Sequence, residues 1–185
     1  QFIDSLRSIL DELVEYTWAD VYVMEKRQKP GKDNKDRLKD GVHIEIPDIV
    51  CDPIVQYLLR DNMLNRVREI FQTMHNKAEE IYDEKVIYDN PWIMYGGKKP
   101  KNDAYTLTNV IRIQSGSDEQ TKMNANDYTT SFIIQTLSLQ NKMEKSVREK
   151  IDVSDASNQP ENTQLLDLSA IEQHIKKKND KDTKK

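Results

Sequence analysis

Lys39-Asp40-Gly41-Val42-His43-Ile44-Glu45-Ile46-Pro47 places a histidine inside a short alternating strand pattern, directly behind a glycine turn. Alternation turns Val42, Ile44 and Ile46 toward a core and directs His43 and Glu45 the other way, to a cleft or to solvent. A lone histidine on a strand is ordinarily a hydrogen-bonded surface residue, so its neighbours must decide its use. The segment leading into the strand carries Lys26, Arg27, Lys29, Lys32, Lys35, Arg37 and Lys39 against only Asp33 and Asp36, a field that draws anions to this face. A phosphate-bearing ligand is the expectation that follows.

Composition bounds what can surround this stretch. With 185 residues, 32% of them charged, and a mean hydropathy of -0.83, the chain holds at most one modest domain and a polar extension. A single cysteine, Cys51, excludes an intramolecular disulfide and a cysteine-rich zinc site, and suits the cytosol or nucleus. No apolar run reaches the roughly 20 residues that a membrane-spanning helix needs, so a soluble protein is expected. The net charge of -4 would disfavour nucleic acid if it were evenly spread, but the cations cluster before His43 and in the C-terminal tail. Because Gln1 leads straight into an apolar repeat, the start reads as a cut through a longer protein.

Outward from His43 the periods change. Phe2 to Tyr16 has helical apolar spacing, and Asp20 to Lys26 alternates as a strand that could pair with the strand of His43 across the polar loop Lys29 to Lys39. Asp52 and Pro53 open a helix expected to run to Met74, with a stripe through Ile54, Val55, Leu58, Leu59, Met63, Val67, Ile70, Phe71 and Met74 that is packing rather than a ligand site. Tyr105 to Ile113 reads as one strand. Ser115 to Asn126 reads as a polar loop, and Tyr128 to Leu139 as an apolar element of undecided type. Asn141 to Arg148 has spacing that suits a helix. From residue 152 the chain is acidic and then lysine-rich, which reads as a linker or disordered tail.

The second informative stretch is Ile81-Tyr82-Asp83 followed by Asn90-Pro91-Trp92-Ile93-Met94-Tyr95-Gly96-Gly97-Lys98-Lys99-Pro100. Its Gly-Gly turn lets the backbone approach a ligand and delivers two adjacent lysines, which suits phosphates. Three chemistries compete for His43. A zinc deaminase shares His43-Ile44-Glu45 but needs a Cys pair that one cysteine cannot supply. A triad hydrolase needs a nucleophile on a strained turn, and no Gly-x-Ser-x-Gly occurs. A phosphate or nucleotide contact, with a carboxylate such as Asp83 holding a divalent ion, uses all the parts.

These motifs, together with Tyr105-Thr106-Leu107-Thr108, resemble in their order the primase domain of the primase–helicases of nucleocytoplasmic large DNA viruses, within the archaeo-eukaryotic primase superfamily. The resemblance implies that residues 1–140 are the C-terminal portion of a primase catalytic domain and that 141–185 are a polar linker or tail. It further implies an α+β fold, a mostly antiparallel sheet carrying His43 on its open face with helices 2–16 and 53–74 covering the other, and His43 and Asp83 lining one cleft. The activity implied is template-directed nucleotidyl transfer, making short primers on single-stranded DNA with Mg2+ or Mn2+. Nucleoside triphosphates are the substrates, a helicase module of the same parent chain is the partner, and the setting is host cytoplasm or nucleus.

In that resemblance His43 matches the glycine-flanked histidine on the incoming nucleotide's phosphates. Asp83 matches the third-motif metal-binding and catalytic acid, ahead of the alternative Asp89. Lys98 and Lys99 match the basic positions, Lys39 and Gly41 flank the histidine, and Lys26, Arg27, Lys29, Lys32, Lys35 and Arg37 are expected to meet nucleic acid. Trp92 and Tyr95 are candidates for stacking on bases, although Trp92 also suits a core. The first motif's paired acids are expected upstream of Gln1, because Asp180 and Asp182 lie in a tail without strand character. The chain alone is therefore expected to synthesise nothing. The chain also lacks a Gly-x-x-x-x-Gly-Lys-[Ser/Thr] loop, so no ATPase is expected of it. A non-catalytic nucleotide- or nucleic-acid-binding module is the alternative, and an interaction scaffold without a ligand the third possibility.

Overall fold

The computed structural model describes residues 1–30, 38–88, 95–100, 102–137 and 148–149. In chain order the elements are α1 (Phe2–Leu13), β1 (Val14–Glu15), β2 (Trp18–Glu25), β3 (Lys29–Pro30), β4 (Leu38–Lys39), β5 (Val42–Glu45), α2 (Pro53–Ile70), α3 (Ala78–Ile81), α4 (Lys85–Tyr88), β6 (Thr106–Gln114), β7 (Gln120–Met123), α5 (Thr130–Leu137) and β8 (Arg148–Glu149). They divide between two compact units. One holds the segments Gln1–Glu15 and Cys51–Pro91 with β8; the other holds Tyr16–Val50 and Trp92–Ser146.

In the first unit α1 buries Leu6, Leu10 and Leu13, one stripe of its 3.6-residue period, and packs on α2. The helix ends at Leu13, earlier than the expected Tyr16, because Val14 is extended and pairs with Glu149 while Glu15 pairs with Arg148. Asp52 accepts the Ile54 N–H at 2.8 Å and Pro53 fills the first turn, so α2 starts where its sequence demands. Val55, Leu58, Met63, Leu64 and Val67 bury its core face. The expected end at Met74 is corrected to Ile70, since Phe71 caps the helix and Met74 is 53% exposed, outside the stripe.

The second unit is a four-stranded antiparallel sheet of order β5-β2-β6-β7. The fold is α+β, as the family resemblance implies. β2 lies inside the sheet with Ala19, Asp20, Val21, Tyr22 and Met24 all buried, and it pairs with the edge strand β5 in the register Tyr22↔Glu45, Val23↔Ile44, Met24↔His43. β3 and β4 extend that hairpin by two more pairs. Paired residues share a sheet face, so His43 lies on the side of Met24. That side is covered within its own unit: Ile133 and Leu137 of α5 bury against Tyr22, Met24 and Val110, flanked by Tyr95, Tyr105, Leu107, Met123 and Tyr128. The undecided element at 128–139 is thus helical over 130–137, and among the described residues of this unit it covers the face of His43, which was expected to be open.

Two further expectations change. The loop at 115–126 contains β7, turned onto β6 through Gly116 at φ +70°, and Asn124 then caps a single 3-10 turn at Ala125–Asp127. Val42 does not enter a core; it is 48% exposed, while Ile44 and Ile46 are half-buried, as befits the start of an edge strand. The readings made for residues 141–147 and from 150 onward lie outside the described residues.

Candidate functional site

At the margin of the sheet, four residues from distant parts of the chain converge. The ring of Tyr105, which leads into β6, stacks on the His43 imidazole with centroids 3.7 Å apart and planes 17° from parallel. Lys26, which follows β2, donates its backbone N–H to the Gly41 carbonyl at 3.2 Å and sets its Nζ 4.9 Å from the centroid of the Tyr105 ring. Gly41 makes this possible. A Cβ there would collide with Lys26 Cε, approach Lys26 Nζ to 2.8 Å and meet the Tyr105 hydroxyl at 2.9 Å, so glycine serves here for close approach. Asp40 fixes the turn, accepting from the Gly41 N–H at 2.7 Å and from Gln28 Nε2 at 3.0 Å.

Burial, and then the charges of Lys26 and Lys99, hold the His43 imidazole below its ordinary pKa of 6.5. Lys99 reaches this field from the Gly-Gly turn, where Gly96 takes φ +79°, a left-handed backbone that glycine adopts without strain. A half-buried imidazole flanked by two ammonium groups is arranged to receive negative charge, which would relieve the repulsion it now feels. Lys98 and Lys99 are both exposed.

The remaining expected contacts are spread more widely. Arg27 is exposed, and Lys29 pairs with Asp103 at 3.1 Å. Lys32, Lys35, Arg37, Trp92 and Asp89 lie outside the described residues, as does the side chain of Lys39. Tyr95, expected to stack on bases, instead packs beside the core of the sheet and accepts the Leu107 N–H at 3.4 Å. Sequence reading missed Tyr105 as a site residue and placed Lys26 with nucleic acid, because no spacing rule links positions 26, 43, 99 and 105.

Asp83 belongs to the first unit. Buried Arg60 fixes its neighbours, donating from Nε to the Tyr82 carbonyl at 2.9 Å and pairing with Glu84 at 3.5 Å, while burial pushes the Tyr82 phenol up to about 12. Asp83 itself is exposed, and its Oδ1 accepts the Lys85 N–H at 3.1 Å, which starts α4. It offers one hard oxygen donor. Among the described residues no group of three His, Cys, Asp or Glu side chains is placed to hold a metal ion, so they do not assemble the two-ion centre that nucleotidyl transfer needs. Nor, among the described residues, is any helix long and apolar enough to cross a membrane.

A sheet margin with Lys26 beside a histidine, in the field of Lys99, marks a candidate site in an α+β chain, and the comparisons with known proteins say to which family that chain belongs. The chain belongs to the family described as the C962R protein N-terminal AEP domain, of archaeo-eukaryotic primase type, whose model matches residues 1–111. That description sets the domain at the N-terminus of its protein, so the expected C-terminal portion can refer only to position within the domain. The chain is also 34% identical over 93 residues, 48% of its length, to the protein named "Putative helicase L207/L206" of Acanthamoeba polyphaga mimivirus. It spans 10% of that relative's length.

Proposed function

We propose that the chain is part of a DNA primase that makes short primers on single-stranded DNA and is joined, in its parent protein, to a helicase. The observation that carries this reading is the convergence of Lys26, Gly41, His43 and Lys99 within a chain of the primase family. In this reading the lysines and the imidazole bind and orient the triphosphate of the incoming nucleotide, with Lys98 and Lys39 at the rim. The missing side chain of Gly41 leaves room for Lys26 to reach the phosphates. Asp83 contributes one carboxylate to a divalent-ion centre, Mg2+ or Mn2+, whose other acids lie outside the described residues. Residues 1–140 then form the later portion of the catalytic domain and 141–185 its linker to the next module. Host cytoplasm or nucleus is the setting that this role requires.

The test is primer synthesis on a single-stranded template by a longer chain that contains the first acidic motif. Asp83→Ala abolishes synthesis and spares DNA binding, since it removes a metal ligand without touching the cationic surface. His43→Ala weakens nucleotide binding. Synthesis that survives Asp83→Ala overturns the role given to that acid. The 185-residue chain alone binds without synthesising, and if it did make primers the missing-acid argument would fall.

A further inference from the structure

Arg60 is a buried charge to which the nucleotide reading above gives no task. It lies on α2 between Leu58 and Met63, in a helix fixed at its start by the Asp52 cap and buried along that stripe. A guanidinium is costly to hold away from water, and an apolar side chain of similar volume would pack there as well. The bonds it makes show its use. Its Nε donates to the Tyr82 carbonyl at 2.9 Å, and its Nη1 lies 3.5 Å from the Glu84 carboxylate. The short, directional bond thus goes to the main chain, and the looser ion pair to a carboxylate that is 59% exposed.

Those two partners flank Asp83. Tyr82 caps the C-terminal end of α3, where a helix leaves carbonyls without intrahelical partners, and its carbonyl belongs to the peptide that leads into Asp83. Holding that carbonyl fixes the peptide plane from which the Asp83 side chain departs. On the other side, Asp83 Oδ1 accepts the Lys85 N–H at 3.1 Å, a local turn that a wandering peptide plane would break. We propose that Arg60 is a positioning residue for Asp83: from α2 it clamps the residues before and after that acid and so holds its exposed carboxylate in one orientation. The catalytic consequence rests on the reading of Asp83 given above, whereas the orientation of the side chain is measurable without it.

The Hα–Hβ couplings of Asp83 in the 185-residue chain report by NMR whether its side chain keeps one rotamer or averages over several. The wild type is expected to keep one. Arg60→Met retains the apolar stem and removes the donors. It is expected to average the couplings and to speed exchange of the Lys85 amide about tenfold, the loss of one charge-assisted hydrogen bond. Arg68 also ties α2 to α3, through Glu79 rather than through the turn. Arg68→Met therefore loosens the same two helices and is expected to leave the Asp83 couplings as in the wild type. Couplings averaged already in the wild type, unchanged in Arg60→Met, or averaged as fully in Arg68→Met would each overturn the proposal. If the Met variant at position 60 loses the fold, Arg60→Lys decides, since one ammonium group cannot serve the carbonyl and Glu84 together. Wild-type couplings in that variant overturn the proposal too. In a longer chain that contains the first acidic motif, Arg60→Met is expected to lower kcat for primer synthesis about tenfold or more and to leave KM for the nucleotide unchanged. A wild-type kcat there, beside an inactive Asp83→Ala, overturns it as well. Synthesis that survives Asp83→Ala, with the couplings of Arg60→Met averaged, leaves Arg60 in its positioning role and removes the reading of Asp83 instead.

Discussion

The His43 imidazole meets an aromatic ring and the fields of two lysines, so its protonation reports the state of the whole cluster. Its folded pKa is depressed, which means the unfolded chain takes up a proton at a pH where the fold still refuses one. The contribution of His43 to stability is therefore complete above about 6.5 and is lost as pH falls through the folded value. An NMR titration of the free chain should place the midpoint below 6.5, and adding tripolyphosphate should raise it as the anion offsets Lys26 and Lys99. A free-chain midpoint at or above 6.5 would mean that the cluster does not pack as described. Elsewhere in the sheet, Arg112 grips the buried carboxylate of Asp20 through two bonds of 2.8 Å and lies 4.4 Å over the Trp18 ring, while the Asp20 N–H donates to Asp48 at 3.1 Å. Asp20 is only 10% exposed whereas the arginine is 44% exposed, so the cost of breaking the pair falls on the acid left behind. Arg112→Met should destabilise by about 1–3 kcal/mol in thermal or urea unfolding. His43, Gly41 and Lys99 stand out in the sequence as candidates, because glycines and a histidine between basic runs carry their chemistry locally. The stacking of Tyr105 on His43 does not, since that ring contact spans 62 positions of chain, 105 minus 43.

At the scale of elements, period decides what sequence can show. α2 announces itself by a cap, a proline and a stripe, and the burial of Val55, Leu58, Met63 and Val67 follows that stripe. Its stop at Ile70 was hidden because apolar residues continue past it to Phe71 and Met74. β7 was illegible for the opposite reason: Gln120, Thr121 and Lys122 show no apolar alternation, and only pairing to β6 makes them a strand. In α5 three adjacent apolar residues, Phe132, Ile133 and Ile134, fit a strand or a helix equally. Burial of Ile133 and Leu137, with Phe132 and Ile134 exposed, is what resolves it. Ile133→Ala should then cost about 2–5 kcal/mol, whereas Asp52→Ala, removing one cap on α2, should cost about 1 kcal/mol. Equal losses in chemical unfolding would contradict the place given to α5 in the core.

Across the whole molecule, a net charge of -4 hides a local excess of cations ahead of His43. If that segment meets single-stranded DNA, as the family resemblance implies, log affinity should fall against log salt with a slope of about -0.7 for each phosphate neutralised. A flat salt response would remove the segment from the interface. The claim on which the rest depends is that the margin of the sheet at His43 receives the polyphosphate of a nucleotide. The direct measurement is calorimetric and NMR titration of a nucleoside triphosphate into the 185-residue chain and its His43→Ala variant, both checked for an unchanged fold. The account predicts binding that perturbs Lys26, Gly41, His43, Lys99 and Tyr105 together and weakens about tenfold or more in the variant, the loss expected when a charge-assisted hydrogen bond is removed. No binding, or binding that the variant leaves at wild-type strength, would contradict it.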